Sequence, residues 1–289
     1  MSSQNLTHTL AEHGLVKADT AIESDWNTVN NLRSRFSMPL TWENIQQILN
    51  DHPQVRPYLY LSTGMDGLVL LNVDTGETVS AQPLVFASLS EDDSDGMFVN
   101  LIGQQVERLE NTPSIASLIQ QGEINEAKQQ IEHATALAPT ALAELVYSLM
   151  PWEELGDRQF QRRIALTVRK NEEYPSQQFD ENLVELLKQT TPCTDGEEPL
   201  EMVIKKPITV YRGEIDKSVH MGLSWTSNLE IAKKFASRFG KQGSILKTVL
   251  EPKQILAAYA DDGEHEVLAI IENGTQLVDY PLGVLITRG

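Results

Sequence analysis

Three short blocks decide the fold: VYRG at residues 210–213, GLSWTS at residues 222–227 and GEHEVL at residues 263–268. Each block lies in or beside a short apolar run, a pattern typical of β-strands. The run before Arg212 is rich in β-branched residues, and Gly213 follows it, which predicts that Arg212 lies where the strand ends. A guanidinium there can bind phosphate oxygens through parallel N–H groups. An arginine at a strand end is also often an ordinary surface residue, so the position alone leaves both interpretations open.

The second block predicts a strand over residues 223–227, followed by a helix. Asn228 is a suitable N-cap, and Glu230 falls in the first turn, where the helix dipole favours negative charge. Ile231 and Phe235 are four residues apart, which indicates an amphipathic helix packed on a sheet. Trp225 fits either a core position or the lining of a pocket, and the sequence does not distinguish the two.

The third block brings two carboxylates together. If it is extended, its side chains alternate, so Glu264 and Glu266 share one face and His265 points to the other. Residues 267–271 are apolar and predict a buried strand, at whose entrance Glu266 needs a partner because an unpaired buried charge is costly. Two carboxylates on one face are either both solvated or have separate tasks. The neighbouring imidazole suggests a metal site, but alternation turns it away, and we expect no metal.

The composition limits the partners and the compartment. The 289 residues carry a formal net charge of −18 at pH 7. This charge argues against a nucleic-acid partner, which needs clustered Lys and Arg, and against docking on anionic membranes. Cys193 is the only cysteine and falls in a polar segment, residues 191–199, which predicts a loop and a reducing compartment, the cytoplasm. No apolar run has the roughly 18 residues of a membrane span, and residues 1–5 lack the pattern of a secretory signal.

Upstream of these blocks the periodicity changes. Helical spacing in residues 25–36 and 41–49 gives way to apolar runs at residues 57–61 and 67–71, which predict strands, with a hairpin turn at residues 74–76. Two more strands are predicted at residues 84–89 and 97–102. The acidic run at residues 91–96 is similar to a calcium loop, but Ile102 stands where the bidentate glutamate is required, so we expect a solvated acidic loop.

The pattern of apolar residues in the middle of the chain predicts helices. Helices are predicted at residues 114–121, 124–136, 139–149, 157–170 and 180–189. The length is comfortable for two domains. We therefore divide the chain into an accessory or target-recognition domain of mixed α/β structure, residues 1–138, and a second domain, residues 139–289.

The order of the blocks, an arginine, then a hydroxyl-bearing strand, then Glu-x-Glu, resembles the arginine–serine–glutamate class of mono-ADP-ribosyltransferases, which includes bacterial toxins and phage-encoded effectors. The resemblance covers residues 200–289 by motif, and residues 140–289 if the preceding helices are the family's helical lobe. It implies an α+β fold, with a split β-sandwich and a helical lobe in the catalytic domain, residues 139–289. The implied activity is NAD-dependent mono-ADP-ribosylation of a protein, on arginine, with NAD as a substrate, in the cytoplasm of the producing or host cell.

By position, the resemblance makes Glu266 the catalytic glutamate, which bonds the 2′-hydroxyl of the nicotinamide ribose and stabilises the oxocarbenium ion as nicotinamide leaves. Glu264 activates the acceptor, which fits arginine because a guanidinium must lose a proton before it attacks. Arg212 belongs to the catalytic set and holds the NAD phosphates. The contacts to NAD that the resemblance implies come from Arg212, Gly213, Ser224, Thr226, Ser227, Phe235 and Arg238.

One position departs from the family pattern. The first serine of the family's Ser-Thr-Ser helps to orient the catalytic glutamate, but the aligned residues here are Trp225, Thr226 and Ser227. Either Ser224 or Thr226 then supplies the hydroxyl. Two other functions stay open at this point. One is an NAD glycohydrolase or a transferase that modifies nucleic acid, and the other is a non-enzymatic acidic binding protein on a degenerate transferase fold, which the tryptophan favours.

Overall fold

The computed structural model describes residues 10–11, 14–32, 41–62, 68–80, 104–138, 140–171, 176–194, 198–215, 222–238, 243–259, 263, 265–271 and 278–280. It is an α+β protein with two β-sheets, and it divides into two compact units. The first unit comprises Met1–Asp157 and Thr167–Pro175, and the second comprises Arg158–Leu166 and Ser176–Gly289. The predicted boundary after residue 138 falls inside the first unit, so the two divisions differ over residues 139–157 and 167–175. No helix in the described part of the chain is long and apolar enough to cross a membrane.

The first unit contains a four-stranded antiparallel sheet whose strands are neighbours in chain order. They are β1 (Leu15–Lys17), β2 (Leu59–Ser62), β3 (Leu68–Leu71) and β4 (Thr78–Ser80). The predicted strands and hairpin are confirmed here: Leu71 pairs with Thr78, and Asn72 Oδ1 accepts from the Asp74 N–H at 2.9 Å inside the turn. The strands and acidic loop predicted between residues 84 and 102 lie outside the described residues.

Helices cover both faces of this sheet, which is why β3 is apolar throughout and β2 is apolar except for its last residue, Ser62. On one face, Trp26, Ile45 and Leu109 pack with leucines of both strands, and on the other, Leu142 and Leu145 pack with Tyr60 and Val69. The described residues of this unit include the helices α1 (Glu23–Leu32), α2 (Trp42–Asp51), α3 (residues 104–111), α4 (Ile115–Gln121), α5 (Ile124–Leu137), α6 (Thr140–Leu149) and α7 (Trp152–Leu155).

The second unit is built on a seven-stranded sheet, in the order β11-β8-β6-β7-β10-β9-β5. Its strands are β5 (Cys193–Thr194), β6 (Ile208–Glu214), β7 (Ser224–Thr226), β8 (Ser244–Leu250), β9 (Ile255–Ala258), β10 (Glu266–Ala269) and β11 (Val278–Tyr280). β6 pairs with β8 along all seven of its residues but with β7 only at Tyr211 and Thr226. A single paired row therefore joins two halves of the sheet, β11-β8-β6 and β7-β10-β9-β5.

Among the described residues, four helices accompany this sheet. They are α8 (Arg158–Asn171), whose residues are divided between the two units, α9 (Gln177–Lys188), α10 (Leu200–Val203) and α11 (Leu229–Ala236). One sheet face carries an apolar cluster that includes Val210, Trp225 and Val267. On the other face, Ala232 and Ala236 of α11 pack on Ile245.

Gly213 does not end β6, so that expectation is wrong. It pairs with Ile245 inside the strand, which continues to Glu214. A Cβ atom on Gly213 would lie 2.1 Å from the Ala232 carbonyl oxygen and 2.6 Å from the Ala236 nitrogen. The glycine therefore marks a close approach of α11 to the strand rather than a turn.

Cys193 lies in a strand, so the loop predicted for it is also wrong. It lies buried in β5 and pairs in parallel with Ala257 of β9, a strand far along the sequence that a local pattern does not reveal. Arg162 of α8 is buried beside it. The arginine Nη2 donates to the Cys193 carbonyl oxygen at 2.7 Å, and its Nη1 contacts the sulfur. These contacts tie the edge strand of the sheet to α8.

Candidate functional site

The three sequence blocks form neighbouring strands. The block with Arg212 is in β6, the block with Thr226 is in β7, and the block with Glu266 begins β10, and these strands lie side by side in the order β6-β7-β10. One row of directly paired residues, Tyr211, Thr226 and Glu266, crosses all three strands. Directly paired residues project from the same face of a sheet, so the hydroxyl and carboxylate groups of this row share one face.

Glu266 is the buried carboxylate of the candidate site. Its side chain is the first of β10 and the residue is only 9% exposed. Thr226 lies directly opposite, a position in which Cβ atoms are about 5 Å apart. Ser224 lies opposite Leu268 instead. Of the two hydroxyls that the sequence left as alternatives, Thr226 is thus the one next to the carboxylate.

The turn after Thr226 fixes that side chain. Its Oγ1 accepts a hydrogen bond from the Asn228 N–H at 3.0 Å, which uses an oxygen lone pair and not the hydroxyl proton. Asn228 then caps α11, because its Oδ1 accepts from the Glu230 N–H at 3.0 Å, as the sequence predicted. Trp225 is 1% exposed and packs in the core with Val267, so it is a core residue.

Arg212 lies in β6, and β7 separates this strand from β10, where Glu266 lies. Because Tyr211 shares the face of Glu266, alternation starts the Arg212 side chain on the opposite face. Its guanidinium reaches the beginning of β7, where Nη1 donates to the Ser224 carbonyl oxygen at 2.8 Å. Ser224 and Thr226 are separated along β7 by about 7 Å. The structure therefore pairs Thr226 with Glu266 directly and brings Arg212 to β7, one strand away from the carboxylate.

The other predicted NAD contacts divide into two places. Phe235 of α11 lies over Gly213, since a Cβ on that glycine would be 2.9 Å from the phenylalanine Cβ. The Arg238 guanidinium carbon lies 4.0 Å from the centre of the Phe235 ring, a cation–π contact beside β6. Ser227 is exposed at the end of β7, and its N–H donates to the His265 carbonyl oxygen at 3.2 Å.

The extended conformation predicted across the Glu-x-Glu block is wrong at His265. This residue has φ = 51°, in the left-handed region, and β10 begins only at Glu266. Side-chain alternation therefore does not run through His265, and it does not place Glu264 and Glu266 on one face. Glu264 itself lies outside the described residues, so its predicted role stays a prediction.

The His265 backbone gives a direct stability test. A left-handed L-residue costs roughly 1–2 kcal/mol, and a β-branched side chain tolerates that region worst. We expect His265→Val to be about 1–2 kcal/mol less stable than His265→Gly in urea denaturation. Both variants lose the imidazole, so their difference isolates the backbone. Equal stability of the two variants would show that φ is not positive at this position.

Sequence reasoning missed two residues that position Arg212. Glu214 Oε1 accepts from Arg212 Nε at 3.1 Å, and a Cβ on Gly222 would lie 2.7 Å from Arg212 Nη2. The spacing of Arg212 and Glu214 was a usable signal, because residues two apart on a strand share a face. Gly222 carried no such signal, since its contact forms only when β7 lies beside β6.

Among the described residues, no group of three or more His, Cys, Asp or Glu side chains is placed to hold a metal ion. Comparison of the chain with protein-family models, with curated proteins and with solved structures gives no match. The function must therefore be inferred from the residues of the site and from their arrangement in the sheet.

Proposed function

We propose that the protein is an NAD-dependent mono-ADP-ribosyltransferase that modifies arginine on a target protein. The observation that carries the proposal is the adjacency of β6, β7 and β10. Residues 212, 226 and 266 are far apart in sequence, yet they lie on three neighbouring strands, with Glu266 directly opposite Thr226. A solvated surface glutamate needs no such arrangement, and this one is nearly buried.

The fold supports the proposal in a second way. The seven-stranded sheet is joined in its middle by the single paired row at Tyr211 and Thr226, which separates an antiparallel half, β11-β8-β6, from a half, β7-β10-β9-β5, that is antiparallel except for the parallel edge strand β5. This division suits the split β-sandwich expected of a transferase of this class, and α8 and α9 precede the sheet where a helical lobe is expected. The first unit then serves as the accessory or target-recognition part.

The chemistry asked of Glu266 follows from its charge and position. When the bond between the ribose C1′ and the nicotinamide nitrogen breaks, nicotinamide leaves with the bonding electrons and the ribose becomes an oxocarbenium ion. A fixed carboxylate in a site shielded from water stabilises this cation far better than solvent does. Thr226, opposite Glu266, holds the carboxylate in place. Arg212 supplies hydrogen-bond donors for the NAD diphosphate.

The acceptor completes the reaction. A guanidine nitrogen of the target attacks C1′, forms the new C–N bond and gives up one proton, for which Glu264 is the proposed base. The net charge of −18 favours a cationic acceptor segment over a nucleic acid. Water in place of arginine would make the same site an NAD glycohydrolase, an outcome that the experiment separates.

The test is incubation of the purified chain with adenylate-labelled NAD and a lysate of bacterial cells. The expected result is label on a discrete protein band, with mass spectrometry placing ADP-ribose on an arginine. Release of free ADP-ribose without protein labelling would point to hydrolysis. No consumption of NAD, together with a melting temperature that millimolar NAD leaves unchanged, would favour a non-enzymatic binding protein and overturn the proposal.

A further inference from the structure

Glu214 is a nearly buried carboxylate whose partner is Arg212. The two side chains are 9% and 21% exposed, and Arg212 Nε donates to Glu214 Oε1 at 3.1 Å. Both lie on β6 and project from the same face, because they are two residues apart. The shielded carboxylate of Glu214 therefore contacts one defined edge of the guanidinium, the edge that carries Nε.

Two further contacts complete the support of the guanidinium. Nη1 donates to the Ser224 carbonyl oxygen at 2.8 Å. Gly222 lies against the outer nitrogens, since a Cβ there would be 2.7 Å from Nη2 and 3.0 Å from Nη1. Within the described part of the chain, one N–H of Nη1 and both N–H groups of Nη2 have no partner. They form a fork whose direction is set by the carboxylate, the carbonyl and the glycine.

We infer that Glu214 is a positioning residue that aims the Nη fork of Arg212 at the diphosphate of NAD, with Gly222 leaving room for it. The inference rests on the proposed function and adds to it residues that the family resemblance did not supply. A planar guanidinium binds a phosphate bidentately only in one orientation, so a device that fixes the plane raises affinity by reducing the freedom lost on binding. Because Glu214 neutralises the arginine, recognition depends on this hydrogen-bond geometry more than on net charge.

Two substitutions distinguish the effect of the Glu214 charge from the effect of its hydrogen bond to Arg212. Glu214→Gln keeps an oxygen that accepts from Nε, so it keeps the orientation while removing the charge. Glu214→Ala removes both. Gly222→Ala leaves Glu214 intact, and its added methyl group meets the far end of a flexible side chain, which moves without disturbing the fold. Measurement of the melting temperature of each full-length variant confirms that it is folded.

The experiment measures steady-state KM for NAD and kcat for these three variants, with NAD binding followed by calorimetry. We expect Glu214→Ala and Gly222→Ala to raise KM about 10-fold with kcat within about 3-fold, the sign of lost binding rather than lost chemistry. Glu214→Gln should restore KM to within about 3-fold of the wild type. In an Arg212→Ala background, Glu214→Ala should change KM less than about 2-fold, because it acts through the arginine.

The possible failures are distinguishable. If wild-type protein binds no NAD in the calorimeter, the proposed function and this inference fail together. If the wild type binds NAD but Glu214→Ala matches it, or loses the same factor with and without Arg212, the function stands and the positioning role is overturned. If Glu214→Gln is as weak as Glu214→Ala, the charge and not the geometry matters, which also contradicts the inference.

Discussion

Glu266→Gln is expected to reduce NAD-dependent labelling of the target protein by about 100- to 1,000-fold, the loss typical of removing one group that stabilises transition-state charge. Glutamine has the shape of glutamate and keeps a hydrogen-bonding oxygen beside Thr226. What it lacks is the negative charge that faces the developing oxocarbenium ion. The loss should therefore appear in kcat rather than in the KM for NAD.

The matched control for this variant is Glu201→Gln on α10, which makes the same change in net charge at an exposed position. It should label the target at the wild-type rate. Both variants should melt within a few degrees of the wild type in a thermal scan. Full labelling by a folded Glu266→Gln protein would remove the glutamate from the mechanism, and with it the assignment of the whole site.

Gly213→Ala has the second large expected effect, and it acts on stability. The new methyl group would have to occupy space within 2.1 Å of one α11 backbone atom and 2.6 Å of another. Backbone cannot move aside as a side chain can, so α11 must separate from β6. Overpacking of this kind costs about 3 kcal/mol, which corresponds to a melting temperature lower by about 10 °C.

Thr209→Ala is the control for that variant, because Thr209 and Gly213 project from the same face of β6. Loss of a β-branched residue there should cost no more than about 1 kcal/mol. The pair also separates two roles for the glycine. If Gly213→Ala melts like the wild type and loses only NAD binding, the glycine is needed for contact with NAD, as the family resemblance implies, and not for packing.

Local signals predicted much of the fold. Ser114, where a helix was predicted to begin, caps α4 by accepting from the Ser117 N–H at 3.1 Å, and Asn228 caps α11 as predicted. The hairpin after β3 was also predicted, because the residues that form its turn lie within a few positions of each other. In such cases the interactions that fix the structure are encoded next to one another in sequence.

Non-local contacts were not predictable in this way. Cys193 becomes a strand residue only because β9 pairs with it, and Gly213 stays in a strand because α11 packs over it. The left-handed backbone of His265, directly before β10, was not predicted from the local pattern either. In the candidate site, the pattern predicted that Glu266 stands at the start of a buried strand, whereas the closeness of Gly222 to Arg212 depends on the pairing of whole strands.

The single row between β6 and β7 has a consequence for how the sheet holds together. In order from β5 to β11, the chain passes between the two halves of the sheet five times. The two halves of the sheet therefore share only one paired row between β6 and β7, but five covalent chain connections join them. Opening of that row cannot let the halves diffuse apart, because the tethers keep their effective concentration high and make closing an intramolecular event. If the row between β6 and β7 opens, the chain connections bring the two halves of the sheet back to the same pairing.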